Sequence, residues 1–172
     1  IFNTKGIDDK DNYDSEGIFE LVKTFKDEPG KEIFFSFSHH NHDDYETESF
    51  EYNGDSESTS LTNSLGMYES TLNYKYPITE DVKLEFGYDG DYVKTEQSMD
   101  FEVDDLKGIN DFNYDRSIHA VYMEYENKLS EKFSIKPSLR YEYVSKNIKS
   151  LINLDEGQDP YVGDNVFAQF IE

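Results

Sequence analysis

The sequence predicts an all-β fold, an antiparallel meander of about six or seven strands that forms part of a transmembrane β-barrel. Three observations carry that expectation. Apolar and polar residues alternate with period two over runs of about 8 to 13 residues, and no stretch makes a convincing amphipathic helix. Much of the apolar content is aromatic, with 14 Tyr and 13 Phe in 172 residues. Connections alternate between short and long: polar turns at 26–31 (KDEPGK), 77–81 (PITED) and 130–132 (SEK) separate acidic, low-apolar stretches near 41–63, 95–116 and 146–165. Membrane barrels place short turns on the periplasmic side and longer loops outside.

Residues 17–25 (GIFELVKTF) make the first strand, after an acidic lead, and Pro-Gly in the turn that follows suits a tight reversal. The second, 32–39, sets Ile33, Phe35 and Phe37 against Phe34, Ser36 and Ser38. The third ends at 70–76, where Leu72, Tyr74 and Tyr76 alternate with Thr71, Asn73 and Lys75. The fourth, 82–94, is the clearest, with Val82, Leu84, Phe86 and Tyr88 opposite Lys83, Glu85, Gly87 and Asp89. A fifth of mixed polarity covers 117–128, a sixth covers 132–144, and a seventh is placed at 165–171 with weak alternation. The three acidic stretches are expected to be loops. In a barrel the apolar face meets lipid and the polar face the lumen. In a β-sandwich the apolar face would meet a second sheet instead. Loop asymmetry favours the barrel, as do Tyr76, Tyr88, Tyr92, Tyr125 and Tyr143, which stand where an interfacial girdle would lie.

Charge and composition narrow the partners. With 38 acidic and 16 basic residues the formal charge is -22, which repels nucleic acid and attracts divalent cations and basic proteins. Cysteine is absent, so neither disulfides nor thiolate metal sites arise. No run approaches the roughly 18 apolar residues of a membrane helix, a test that barrel strands never have to pass. The chain opens at Ile1 without a visible signal peptide, as a mature form or an internal fragment would, and a fragment is the favoured reading.

Several stretches resemble the outer-membrane β-barrel family of Bacteroidota, allied to the TonB-dependent receptors. They are GIFELVKTFKDEPGKEIFFSFSHHNHDD (17–44), LNYKYPITEDVKLEFGYDGDYVKT (72–95), NDFNYDRSIHAVYMEYENKL (110–129) and FSIKPSLRYEYV (133–144). In that family similar segments form successive barrel hairpins. The resemblance implies residence in the bacterial outer membrane, contact with the lipid bilayer and a role in nutrient uptake or surface assembly. It also implies an energy-transducing partner and, as further partners, a surface lipoprotein or other outer-membrane subunits. Family members are several times longer and begin with a plug or carboxypeptidase-like domain that has no counterpart here. The whole of 1–172 is therefore expected to be one barrel segment, with its strands at 16–144 and a loop and last strand in 145–172. Leu72, Tyr74, Leu84, Phe86, Phe133, Ile135 and Leu139 are expected to face lipid, and Lys83, Glu85, Arg140 and Glu142 the lumen. The alternative is a soluble or surface-attached acidic sandwich that binds calcium, carbohydrate or protein.

Candidate chemistry is sparse. His39, His40, His42, Asp43 and Asp44 offer imidazole and carboxylate ligands that suit Zn, Cu or Ni. The plainer reading is a hydrophilic loop that holds three of the four histidines. Asp8, Asp9, Asp11, Asn12, Asp14 and Glu16 superficially resemble a calcium loop, but Tyr13 and Asp14 break the EF-hand pattern. Weak calcium binding there and at 100–105 competes with a simple solvated acidic stretch. There is no GxSxG, HExxH or P-loop, so no catalytic residue is named, no enzyme activity is expected and no resident cofactor is required.

Overall fold

The computed structural model describes residues 4–52, 55–103, 106–154 and 166–171. Its strands are β1 (Thr4–Thr24), β2 (Glu32–Tyr52), β3 (Asp55–Pro77), β4 (Val82–Val103), β5 (Leu106–Ser130), β6 (Phe133–Ile135), β7 (Ser138–Leu154) and β8 (Val166–Ile171). All are antiparallel in one sheet of order β1-β2-β3-β4-β5-β7-β8, with the short β6 paired to β5. A single layer has no interior. Ala120, 1 % exposed, is the one buried hydrophobic side chain among the described residues. A compact 20.1 kDa chain would expose about 8,700 Å², whereas this one exposes 12817 Å². No second sheet covers the first, so the described residues do not form the two-layer sandwich held as the alternative.

The short turns fall where the sequence places them. Gly30 takes φ 85, a left-handed conformation that costs other residues energy. Glu28 N donates to Phe25 O and Lys31 N to Glu28 O, which closes the β1–β2 turn. Lys31 Nζ then pairs with Glu28 at 2.8 Å. At the β3–β4 turn, Val82 N donates to Thr79 Oγ1 at 3.1 Å.

The long connections differ from expectation. Described residues of 41–63 and 95–116 are not loops but the continuation of β2–β3 and β4–β5, paired in unbroken register as far as Tyr52↔Asp55 and Val103↔Leu106. Residues 146–154 likewise extend β7 along β5, and 155–165 lie outside the described residues. The acidic lead is strand as well, since β1 begins at Thr4 and pairs with β2 throughout. Backbone hydrogen bonds hold a ladder together whatever the side chains are, and Thr, Ser and Tyr suit a solvated pleat. Low apolar content therefore misled the loop assignment.

The expected sixth strand breaks in two. Pro137 has no N–H to give the ladder, and β6 ends before it. Its carbonyl still accepts from Tyr125 N at 3.0 Å, and the β5–β6 register shifts between Lys128 and Ser130. β8 pairs with β7 close to where the last strand is expected.

Candidate functional site: the two faces of the sheet

Contacts that skip a strand distinguish the inner face. Arg140 Nη1 on β7 donates to Asp89 Oδ2 on β4 at 2.7 Å, passing over Ala120 of β5. Tyr122 of β5 donates its hydroxyl to Asn73 of β3 across Gly87, whose missing side chain leaves room for the ring. A Cβ on Gly108 would stand 2.6 Å from Phe101 Cζ of β4 and 2.8 Å from Leu154 Cδ2 of β7, so these two also close over β5. All three crossings lie on the same face. Among the described residues no side-chain hydrogen bond on the opposite face skips a strand. Side chains converge on the concave side of a curved sheet, so this face is the inward one.

Near the short turns the outward face is apolar. Ile33, Tyr74, Phe86, Met123 and Leu139 form one row across β2 to β7, and Leu21, Phe35, Leu72, Tyr88, Val121 and Tyr141 form the next. Most of these large side chains are exposed. Tyr76, Leu84 and Tyr125 edge the band below. His39, Tyr68 and Tyr92 edge it above, with ring centroids 4.6 Å apart for His39 and Tyr68 and 6.0 Å for Tyr68 and Tyr92. From Leu84 to Tyr92 the strand runs roughly 26 Å at about 3.3 Å per residue. Tilted by about 40°, that covers ~20 Å of height, near the ~25 Å apolar band of outer-membrane barrels. Within the band Tyr88 Oη and His119 Nδ1 share a hydrogen bond of 2.8 Å, so neither polar group meets lipid unpaired. Tyr76, Tyr125 and Tyr92 stand at the borders, whereas Tyr88 lies in mid-band. Every residue expected to face lipid stands on this outward face, and Lys83, Glu85, Arg140 and Glu142 stand on the inward one.

Above Tyr92 the polarity of the two faces exchanges. Outward positions become Lys94, Glu96, Ser98 and Asp100 on β4, opposite Asp115, Asn113, Asp111 and Ile109 on β5. Inward positions on β3 to β7 gain the apolar Leu61, Leu65, Met99, Phe112, Ile148 and Ile152, set among the polar Asn63, Thr95, Gln97, Asn110 and Ser150. Beside this stripe, β1 and β2 turn Asp8, Asp14, Asp44, Glu46 and Glu48 inward. The oxygens of Asp8, Glu46 and Glu48 lie within 4.8 Å of one another. Lys10, 3.6 Å from Glu46, is the one cation in salt-bridge reach of that trio among the described residues. A shallow cavity of about 240 Å³, lined by Glu16, Ser38, His39, His40, Met67 and Glu69, lies where the acidic and apolar parts begin.

The histidine cluster is split by the pleat. His39 and Asp43 point outward with Tyr68 and Ser64, while His40, His42 and Asp44 point inward with Met67, Leu65 and Asn63. His42 sits between two carboxylates, Nδ1 2.6 Å from Asp14 Oδ1 and Nε2 2.8 Å from Asp44 Oδ2. Those bonds, Asp14 first and then Asp44, raise its pKa above the ordinary histidine value. In the acidic lead Asp8, Asp14 and Glu16 face inward and Asp9 and Asp11 outward. An extended strand does not wrap these carboxylates round an ion as a calcium loop does. Residues 100–103 of the second acidic stretch belong to β4, and 104–105 lie outside the described residues. The inward stripe is absent from the candidate sites drawn from sequence. Its signal was a change of parity, from even-numbered Leu84, Phe86 and Tyr88 to odd-numbered Val93, Met99 and Phe101.

A single-layer antiparallel meander with a lipid-facing band between aromatic borders, and long hairpins beyond it, is the wall of a bacterial outer-membrane β-barrel. The family comparison agrees: residues 23–166 match the outer membrane protein beta-barrel family, and the chain belongs to it. No curated protein matches. Among solved structures, the ferric yersiniabactin uptake receptor FyuA from Yersinia pestis is similar at 11 % identity and a TM-score of 0.48, over 94 % of this chain and 34 % of the receptor. This chain thus spans about a third of that structure's length. The Gasdermin A3 membrane pore aligns at 6 % identity with a TM-score of 0.11, over 93 % of this chain and 67 % of that one.

Proposed function

We propose that the chain is one wall of a larger receptor or transporter barrel, TonB-dependent receptor-like, that serves nutrient uptake or surface assembly. The observation that supports it most is the exchange of polarity along each strand. The band near the turns serves lipid, and above it the inward face of the hairpins carries the apolar and acidic side chains that a ligand in the lumen would meet. Among the described residues β1 pairs with β2 alone and β8 with β7 alone, and such edges cannot stand open in a bilayer, so further strands complete the barrel. The resemblance to Bacteroidota receptors adds an energy-transducing partner across the periplasm and a surface lipoprotein or other outer-membrane subunit. The role needs neither a catalytic residue nor a resident cofactor.

The test is the intact mass of the natural gene product in a detergent extract of the source's membranes, followed by uptake assays with and without a proton-motive-force uncoupler. A mass several times 20.1 kDa, with uptake abolished by the uncoupler, is the expected result. A product of about that chain mass in the soluble fraction would sink the receptor reading. A large membrane barrel whose uptake ignores the uncoupler would remove the energy-transducing partner.

A further inference from the structure

We propose that the inward wall of the hairpins above the membrane binds short cationic amphipathic peptides, in which a basic segment of Lys or Arg is followed by an aliphatic or aromatic one. The inference rests on the receptor reading above and names the class of ligand that this wall takes.

Two adjoining surfaces define the ligand. Leu65, Met99, Phe112 and Ile148 form a half-buried apolar stripe on β3 to β7. Water-exposed parts of a barrel have no reason to turn aliphatic side chains toward an aqueous lumen unless something covers them. At the upper end of the stripe Gly108 lets Phe101 and Leu154 close over β5. Directly beside it, Asp8, Glu46 and Glu48 gather their carboxylates with Lys10 as the single nearby counter-ion among the described residues. Asp14 and Asp44 are already engaged by His42.

Charge complementarity therefore selects the occupant. Neighbouring strands stand about 4.8 Å apart, so the middle of the stripe lies ~10 Å from the carboxylates of β2. A ligand that fills both surfaces carries positive charge and, roughly two strand spacings away, apolar bulk. A few residues of extended peptide meet that requirement. On the β1–β2 side the carboxylates repel anionic ligands, while the inward cations Arg116, paired with Asp91, and Lys146 stand at the lower β5–β7 side of the stripe.

The experiment uses the full-length receptor, purified in detergent from its native membranes, and three fluorescein-labelled hexapeptides. One carries three Lys followed by three Leu, the second three Lys followed by three Ser, and the third three Glu followed by three Leu. The Lys/Leu peptide is expected to bind, and each of the others at least about tenfold more weakly, one factor of ten being the equivalent of ~1.4 kcal/mol. Glu46→Gln with Glu48→Gln, and separately Leu65→Gln with Phe112→Gln, are each expected to cost about tenfold in affinity. The carboxylate pair is exposed enough to change without loss of fold. Equal binding of all three peptides, or variants that bind as the parent does, overturns the proposal. So does absence of binding together with a lowered unfolding midpoint for the Leu65→Gln variant, which would mean that another part of the receptor covers the stripe. A full-size, correctly folded barrel that ignores the Lys/Leu peptide sinks this inference alone. A small soluble product sinks the receptor reading as well.

Discussion

On β4 the half nearest the turns sets Leu84, Phe86 and Tyr88 outward and Lys83, Glu85 and Asp89 inward. The half beyond Tyr92 sets Lys94, Glu96 and Asp100 outward and Val93, Met99 and Phe101 inward. Backbone pairing is continuous through both halves, so the ladder does not cause the change. The surroundings do. Where the outer surface is lipid, apolar side chains gain by facing it and polar ones must face the lumen. Where the outer surface is water, charge faces out, and the apolar residues are left to the inside. Strand geometry and side-chain polarity are thus independent layers of design in this sheet.

The largest effect that would break this contrast comes from one charge placed at two heights. Phe86→Arg, outward in mid-band, is expected to destabilise the barrel by about 2–4 kcal/mol. Thr62→Arg, outward beside Tyr45 in the upper half, is expected to stay within about 0.5 kcal/mol of the parent. Urea unfolding in lipid vesicles reads both. Equal costs at the two sites would show that the membrane boundary does not lie at Tyr92.

Inside the lower half the crossing contacts are open to test. Gly87→Ala pushes the Tyr122 ring off β4 and should cost about 1 kcal/mol through the lost bond to Asn73. The same change in a Tyr122→Ala background should cost less, because nothing is left to displace. A double-mutant cycle in vesicles measures the difference. At the turn, Gly30→Ala places an L side chain at φ 85 and is expected to cost about 1 kcal/mol. Gly17→Ala, which meets nothing within 4 Å, serves as its control.

The smallest effect lies in the upper half and depends on pH. Protonated His42 bridges Asp14 and Asp44, and its pKa is raised in the fold. Its contribution is complete below the unfolded histidine value of about 6.5 and fades as pH rises through the raised folded value. Hydrogen exchange of β1 and β2 near His42, corrected for intrinsic rates, should accelerate across that window while the lower half stays unchanged. In His42→Gln the pH response should vanish. Persistence of the response in that variant would assign it to another group.

How much was legible beforehand varies with height. The lower half could be read almost residue by residue, because lipid on one side and lumen on the other impose strict alternation, as at Leu72, Tyr74, Leu84 and Phe86. The upper half has the sequence character of a loop, since Thr47, Ser58, Ser60 and Asn63 carry no strong period-two signal and acidic residues occupy both faces. The metal cluster looked compact on paper because His39 to Asp44 are close in sequence. The pleat sends His39 and Asp43 one way and His40, His42 and Asp44 the other.

By itself, the sequence determined that this chain is a β meander with short turns at one end and a lipid-facing aromatic band beside them. Turn chemistry and alternation are local, and period two is all that a strand needs to declare its faces. Only the tertiary structure decided that the acidic stretches continue as paired strands, that side chains cross over a neighbouring strand at Gly87, Ala120 and Gly108, and that an apolar stripe lies inward beside a carboxylate wall. Those features depend on register between residues far apart in sequence, which no single segment encodes.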